Sequence, residues 1–223
     1  MILIIAIQGS IGSGKSTVLE NDHVLFSRLR DEFVEEINVC VLREPVELWE
    51  YDSMLPGYYN GTVTPFVFQT YIMSTQMHQM LDALIQPYDV IVFERDIHSS
   101  KQIFGEMLKS RMTTEEQTAY NCLYDMCCGA LSYYDIVSYN NIVINTNPTE
   151  CISRLSTRQR KYEMRAITME YMQQLDAMHH KYYDNVIPYG KNIIINGNRN
   201  KQDVLDDVVD AIVNVCSDYF LRV

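Results

Sequence analysis

Residues 9–16 read Gly-Ser-Ile-Gly-Ser-Gly-Lys-Ser, set between the apolar run 2–7 and a segment, 17–33, that is compatible with helix. The glycine, lysine and serine positions fill every fixed place of the phosphate-binding P-loop pattern. A strand before it and a helix after it are the context that pattern requires. In such a turn, backbone N–H groups converge on a polyphosphate and the helix N-terminus adds partial positive charge. Lys15 can reach the terminal phosphates, and the Ser16 hydroxyl can ligate Mg2+. Gly9, Ser10, Ile11, Gly12, Ser13, Gly14, Lys15, Ser16 and Thr17 are therefore expected to hold a nucleoside triphosphate.

The rest of the chain alternates between strand-like and helix-like segments. Short β-branched apolar runs at 2–7, 38–43, 90–94, 141–146 and 192–196 have the character of buried parallel strands. Helix is expected at 16–32, 65–86, 99–109, 114–138, 148–159, 168–183 and 201–220. Asn147-Pro148-Thr149-Glu150 combines a capping residue, a proline at the first helical position and an early acid. Thr113-Thr114-Glu115-Glu116 reads as a capping box. Five strands with helical crossovers imply an α/β fold, a doubly wound parallel sheet flanked by helices, with ligands beyond the carboxyl ends of the strands. No repeat or linker divides residues 1–223, and 47% apolar residues suffice for one sizeable core.

Charge and composition narrow the function. A net charge of -11 argues against non-specific nucleic-acid binding. No apolar run reaches the roughly 18 residues of a membrane span, and no basic leader precedes the first strand, so a cytoplasmic location is expected. The six cysteines lack zinc or redox spacing and are expected as free thiols. One stretch is basic: Arg154, Arg158, Arg160, Lys161 and Arg165, with Glu163 the single acid among them. A charge run of this kind is usually a solvated helix face. Next to a P-loop it also suits a lid of about residues 154–166, its arginines on or near one face, closing over phosphates.

Charged clusters follow two strands: Arg43-Glu44-Pro45-Val46-Glu47 after the second and Glu94-Arg95-Asp96 after the third. Either could be ordinary loop polarity. Together with the P-loop they supply what phosphoryl transfer needs: a carboxylate (Glu44) to accept a hydroxyl proton, an arginine (Arg95) to hold it ionised, and an acid (Glu94) for Mg2+. Trp49, Tyr58, Tyr59, Phe66, Phe68, Tyr71 and Phe104 could line a base slot, although spacing alone favours plain core. Gln69, within this group, carries the donor and acceptor that pair with a base edge.

Glu44-Pro45-Val46-Glu47-Leu48-Trp49, Phe68-Gln69-Thr70-Tyr71, Glu94-Arg95-Asp96 and Arg154…Arg158-Gln159-Arg160 follow the P-loop in one order. The set resembles the deoxynucleoside kinase family, which includes deoxycytidine, deoxyguanosine and mitochondrial-type thymidine kinases and a broad-specificity insect enzyme. The resemblance implies a P-loop kinase fold and ATP-dependent phosphorylation of a deoxynucleoside 5′-hydroxyl with Mg2+. It assigns Glu44, Arg95, Lys15, Arg158 and Arg160 to catalysis, Arg154 to the donor, and Ser16 and Glu94 to the metal. Trp49, Gln69 and Phe104 fall on base-contacting positions, and Tyr58 (or Tyr59) with Glu163 on those holding the 3′-hydroxyl. Gln76 and Ser100 fall where relatives tune base choice. A homodimer and inhibition by an end-product triphosphate are also implied.

The chain departs from the family at several points. Asp96 stands where serine is usual, and Lys161-Tyr162 precede Glu163. Gln76 and Ser100 match neither the Arg and Asp of purine-accepting relatives nor the Met and Ala of thymidine-accepting ones. The missing Arg–Asp pair leans toward pyrimidines. A thymidylate-type monophosphate kinase, a nucleotide-dependent switch and a silent paralogue stay open as alternatives.

Overall fold

The computed structural model describes residues 1–157, 160–185 and 191–221. β1 (Ile2–Gln8) runs into the P-loop, followed by the short helix α1 (Lys15–Leu19) and α2 (Asp22–Glu32). The helix expected at 16–32 is thus broken. The Asn21 side-chain amide donates to the Thr17 carbonyl at 2.7 Å, the local competition with backbone bonding that makes asparagine a poor helix-interior residue. β2 (Val39–Leu42) leads into α3 (Val46–Tyr51) and α4 (Met54–Asn60), and then the long α5 (Pro65–Leu84). Thr64 caps α5 through Val67 N–H, and Pro65 opens it.

β3 (Val90–Glu94) is followed by α6 (Ile97–Ser99), a π-helical turn (Ser100–Gly105), α7 (Glu106–Leu108) and a 3-10 turn (Lys109–Arg111), where one continuous helix was expected. α8 (Thr114–Leu131) starts at the expected Thr113–Glu116 capping box. It stops well short of residue 138, because β4 (Ile136–Asn145) begins there and pairs with β1 from Ile2↔Ile136 onward. α9 (Pro148–Thr157), α10 (Lys161–Ala166), α11 (Met169–Asn185), β5 (Asn192–Asn196) and α12 (Lys201–Phe220) complete the described order.

Among the described residues the five strands form one all-parallel sheet, ordered β2-β3-β1-β4-β5. Strand residues alternate between two apolar layers. Leu3, Ile5, Ile7, Val90 and Val92 face α1, α2 and α12. Ile4, Ile91 and Phe93 face Met73, Met77 and Met80 of α5 and Tyr120 and Cys127 of α8. Two smaller apolar clusters sit beyond the sheet, one built on Ile103, Phe104, Leu155 and Leu175, the other on Trp49, Tyr58, Phe68 and Ile72. Strand order reverses beside β1, so the crevice opens at the carboxyl ends of β1 and β3. No helix of the described residues is long and apolar enough to cross a membrane.

Candidate active site

The P-loop forms because the backbone must turn where side chains cannot fit. Gly12 has φ +80°, and a Cβ there would lie 2.7 Å from the Cys151 carbonyl oxygen. Gly9 has φ +145°, and its Cβ would meet the Ile144 carbonyl at 2.7 Å. Both positions need glycine for conformation and for space. Ser10 and Ser13 are buried in the turn, their hydroxyls without a partner among the described residues. The Lys15 ammonium donates to the carbonyls of Gly9 (3.1 Å) and Ser10 (3.0 Å), curling back over the loop.

A cavity of about 520 Å³ opens beside this loop. One end is polar, lined by Ile11, Gly12, Gly14, Lys15, Ser16 and Thr17 with Glu44, Glu94 and Arg95. The other is walled by Trp49, Tyr58, Phe68, Gln69, Ser100 and Phe104, and Arg160 and Glu163 also line it. Trp49, Tyr58 and Phe68 are therefore both core and wall, belonging to one buried cluster whose inner side is the cavity, whereas Phe66 and Tyr71 pack on that cluster without lining the cavity. The ring of Tyr58 stacks on Phe68 at 4.5 Å, and Trp49 Nε1–H is anchored on the Thr75 hydroxyl at 3.0 Å.

Three strand ends meet at the polar end. The Ser16 hydroxyl donates to Glu94 Oε1 at 2.6 Å, and Glu44 N–H points to Glu94 Oε2 at 3.4 Å. A hydroxyl and a carboxylate so placed are the hard oxygen donors that suit Mg2+. Arg95 Nη1 lies 2.8 Å from Glu44 Oε1, and its Nη2 donates to the Gly9 carbonyl at 3.3 Å. The guanidinium also sits 4.4 Å from the centre of the Phe104 ring. Burial pushes the Glu44 carboxyl above its ordinary value. Arg95 pulls it back, Glu94 pushes it further up, and Lys15 and Arg160 pull it down.

Of the arginines expected on one face of a lid, Arg154 and Arg160 sit on separate elements. Arg154 lies on α9 and turns under the P-loop, donating to the carbonyls of Ser13 (3.0 Å) and Gly197 (2.8 Å) and pairing with Glu150 (2.9 Å). Arg160 precedes α10 and reaches Glu50 (3.1 Å) and Glu163 (3.3 Å). The break between α9 and α10 separates them. Arg158 lies outside the described residues. With Ser13, Gly14, Thr17 and Lys201, Arg154 lines a second cavity of about 330 Å³ on the far side of the loop.

The remaining residues fall as follows. Gln69 is 2% exposed and Glu163 5% exposed, and among the described residues Gln69 Oε1 and Glu163 Oε2 have no partner. Tyr58 and Tyr59 both line the cavity. Gln76 does not. It stands behind the wall and accepts from the Ser100 hydroxyl at 2.8 Å, so Ser100 is the one of that pair that meets the cavity. Asp96 points away from the metal-type oxygens: its carboxylate caps α6 and accepts from the Tyr139 hydroxyl. Sequence reading passed over Glu50, the partner of Arg160 and of the Tyr162 hydroxyl, and Tyr171, which lines the cavity from α11. Neither carries a local signal, since each is brought in by a helix whose packing is non-local.

The profile of the deoxynucleoside kinase family matches residues 5–217. The chain is 32% identical over 183 residues to mitochondrial thymidine kinase 2 of Homo sapiens, covering 79% of this chain and 62% of that protein. The chain thus spans less than two thirds of the length of that relative. The 143R protein of Invertebrate iridescent virus 6 is 28% identical over 221 residues, 96% of this chain and 98% of the viral one. The 029R protein of Invertebrate iridescent virus 3 is 24% identical over 97% of this chain. With a parallel sheet, a P-loop, a carboxylate–arginine pair beside it and a profile match over nearly its whole length, the chain belongs to the deoxynucleoside kinase family.

Proposed function

We propose that the chain transfers the γ-phosphoryl group of ATP to the 5′-hydroxyl of a deoxynucleoside, with pyrimidines preferred. The observation that carries this reading is the Glu44–Arg95 pair, 2.8 Å apart, at the junction of the P-loop and the aromatic-walled cavity. A carboxylate at that junction suits a neutral hydroxyl and repels a phosphate, which favours a nucleoside over a nucleoside monophosphate as acceptor. Burial keeps the affinity of Glu44 for a proton high, as a general base working near neutrality requires.

Glu44 takes the 5′-hydroxyl proton as the oxygen bonds to the γ-phosphorus, and the bond to the β-phosphate oxygen breaks to release ADP. Lys15, Arg95 and Arg160 stabilise the charge on the transferring group, with Arg158 assigned beside them by the family pattern. Ser16 and Glu94 would hold Mg2+, which when bound neutralises phosphate charge. The second cavity, beside Ser13, Gly14 and Thr17, supports a place for the donor's base. The buried Gln69 oxygen, without a partner among the described residues, offers an acceptor to a base N–H, and its amide nitrogen a donor to a base carbonyl. Ser100 already donates to Gln76, so the wall there offers a purine no charged partner. The name of the human relative, a thymidine kinase, agrees with this preference. The same reading takes residues 1–223 as one catalytic domain, cytoplasmic, acting as a homodimer and inhibited by an end-product triphosphate.

Purified protein incubated with ATP·Mg2+ and each of thymidine, deoxycytidine, deoxyadenosine and deoxyguanosine should yield monophosphate, fastest from a pyrimidine. Equal turnover of dTMP and thymidine would displace the nucleoside reading. Preference for a purine would overturn the assignment of base choice.

A further inference from the structure

Arg95, the centre of the site, has φ +56°, a left-handed backbone that a residue with a side chain rarely adopts. Its own amide donates to the Ile7 carbonyl at 3.1 Å, which fixes the N-terminal side of this turn to β1. The other side is held by Asp96. Asp96 Oδ1 accepts the Ser99 N–H at 2.7 Å, and the Ser99 hydroxyl meets the Asp96 N–H at 3.2 Å, a closed capping box. A serine could make that cap as well. What the carboxylate adds is a second oxygen, and that oxygen accepts from the Tyr139 hydroxyl.

Tyr139 lies on β4, opposite Ile4 of β1. β1 in turn separates β4 from β3. The Tyr139–Asp96 bond therefore reaches across the central strand and ties the end of β3 to the strand pair that carries the P-loop. Asp96 is 3% exposed, and the Tyr139 ring is braced edge-on by His98, whose Nδ1 is bonded to the Tyr124 hydroxyl at 2.7 Å. Asp96 is buried, Tyr139, His98 and Tyr124 are half-buried, and the parts hold one another in place.

We propose that Asp96, through Tyr139, is a positioning residue: it holds the left-handed turn that aims Arg95 at Glu44 and at the P-loop carbonyl of Gly9. The inference rests on the kinase reading of the site. A link of this kind acts on the geometry of the reacting groups more than on the base pocket, so its loss lowers turnover and leaves nucleoside affinity nearly unchanged.

Three variants separate the parts. Asp96→Ser keeps the cap and loses the reach to Tyr139, Tyr139→Phe removes only the hydroxyl, and Asp96→Asn keeps hydrogen bonds to both partners. With ATP·Mg2+ and thymidine, kcat should fall about 10-fold in Asp96→Ser and in Tyr139→Phe. KM for thymidine should stay within about twofold, and Asp96→Asn should recover most of the turnover. The double variant Asp96→Ser/Tyr139→Phe should be no slower than either single one, because both break the same bond. Wild-type-like kcat in both single variants, even with a lowered melting temperature, would overturn the positioning role while leaving the kinase reading intact. So would losses that multiply in the double variant. Absence of turnover of all four deoxynucleosides in the folded wild type would overturn both.

Discussion

Replacing Glu44 by glutamine tests the chemistry most directly. The carboxylate and the Arg95 guanidinium are 2.8 Å apart and each is about one-tenth exposed. At an effective dielectric constant near 20, their attraction is about 6 kcal/mol, most of it offset by desolvation. Glutamine keeps the shape and an oxygen for Arg95, so the fold should lose only about 1–3 kcal/mol. It cannot take the acceptor's proton. Loss of a positioned base should lower kcat about 10²- to 10⁴-fold, or about 3–5 kcal/mol of barrier. The ground-state hydrogen bond to the 5′-hydroxyl accounts for about 1 kcal/mol, so nucleoside Kd should weaken by no more than about fivefold. Steady-state turnover with calorimetric nucleoside binding separates the two. The pH profile adds a second reading. A base must be deprotonated, so kcat/KM should fall as pH drops through the raised pKa of Glu44, above the ordinary carboxylate range. That limb should vanish from the residual activity of the variant. Equal losses in binding and turnover, or turnover within threefold of wild type, would refute Glu44 as the base.

Gln69→Ala should raise the nucleoside KM about 10- to 100-fold by removing two buried hydrogen bonds, and should flatten the ranking of the four bases. Unchanged ranking would remove Gln69 from base recognition. Gly12→Ala forces a Cβ to within 2.7 Å of a backbone oxygen at φ +80°, so ATP affinity should collapse and the melting temperature fall. Normal ATP binding in a calorimetric titration would contradict the steric argument. His179 is buried, and burial, with Arg95 and Lys15, holds its pKa well below the ordinary value. The unfolded chain therefore gains a proton near pH 6.5 that the folded chain resists, and stability should fall below that pH by up to about 1.4 kcal/mol per unit. Urea titrations from pH 7.5 to 5 should show this slope in the wild type and a shallower one in His179→Phe.

Strands were easiest to read in the sequence, because a strand covered on both faces is a continuous β-branched run wherever it sits. β4 is the instructive exception. Its first half, Ile136–Asn140, interleaves polar residues with apolar ones; 136–138 fell in the expected helix 114–138 and 139–140 in no expected element. Only pairing with β1 makes it a strand. No element was expected over α3 and α4, a stretch that holds the turn-favouring Asp52-Ser53, Pro56-Gly57 and Gly61. In the structure they fall at helix ends, with Ser53 and Gly61 in left-handed conformations, or within the single turns that pack Trp49 and Tyr58 inward.

The P-loop turn was determined by sequence alone, because it is a local object: every backbone group it uses lies within about ten residues. The rest of the site is held by contacts between distant parts of the chain. Ser16 meets Glu94 across 78 residues, Arg95 meets Glu44 across 51, and Tyr139 meets Asp96 across 43. Such pairs exist only once the strand order β2-β3-β1-β4-β5 brings the ends of β2 and β3 beside β1. Residue type can nominate a carboxylate for the base or an arginine for its partner. Which oxygen faces which nitrogen, and that Asp96 turns from the metal-type oxygens toward Tyr139, was decided by the register of the sheet and by the burial that register enforces.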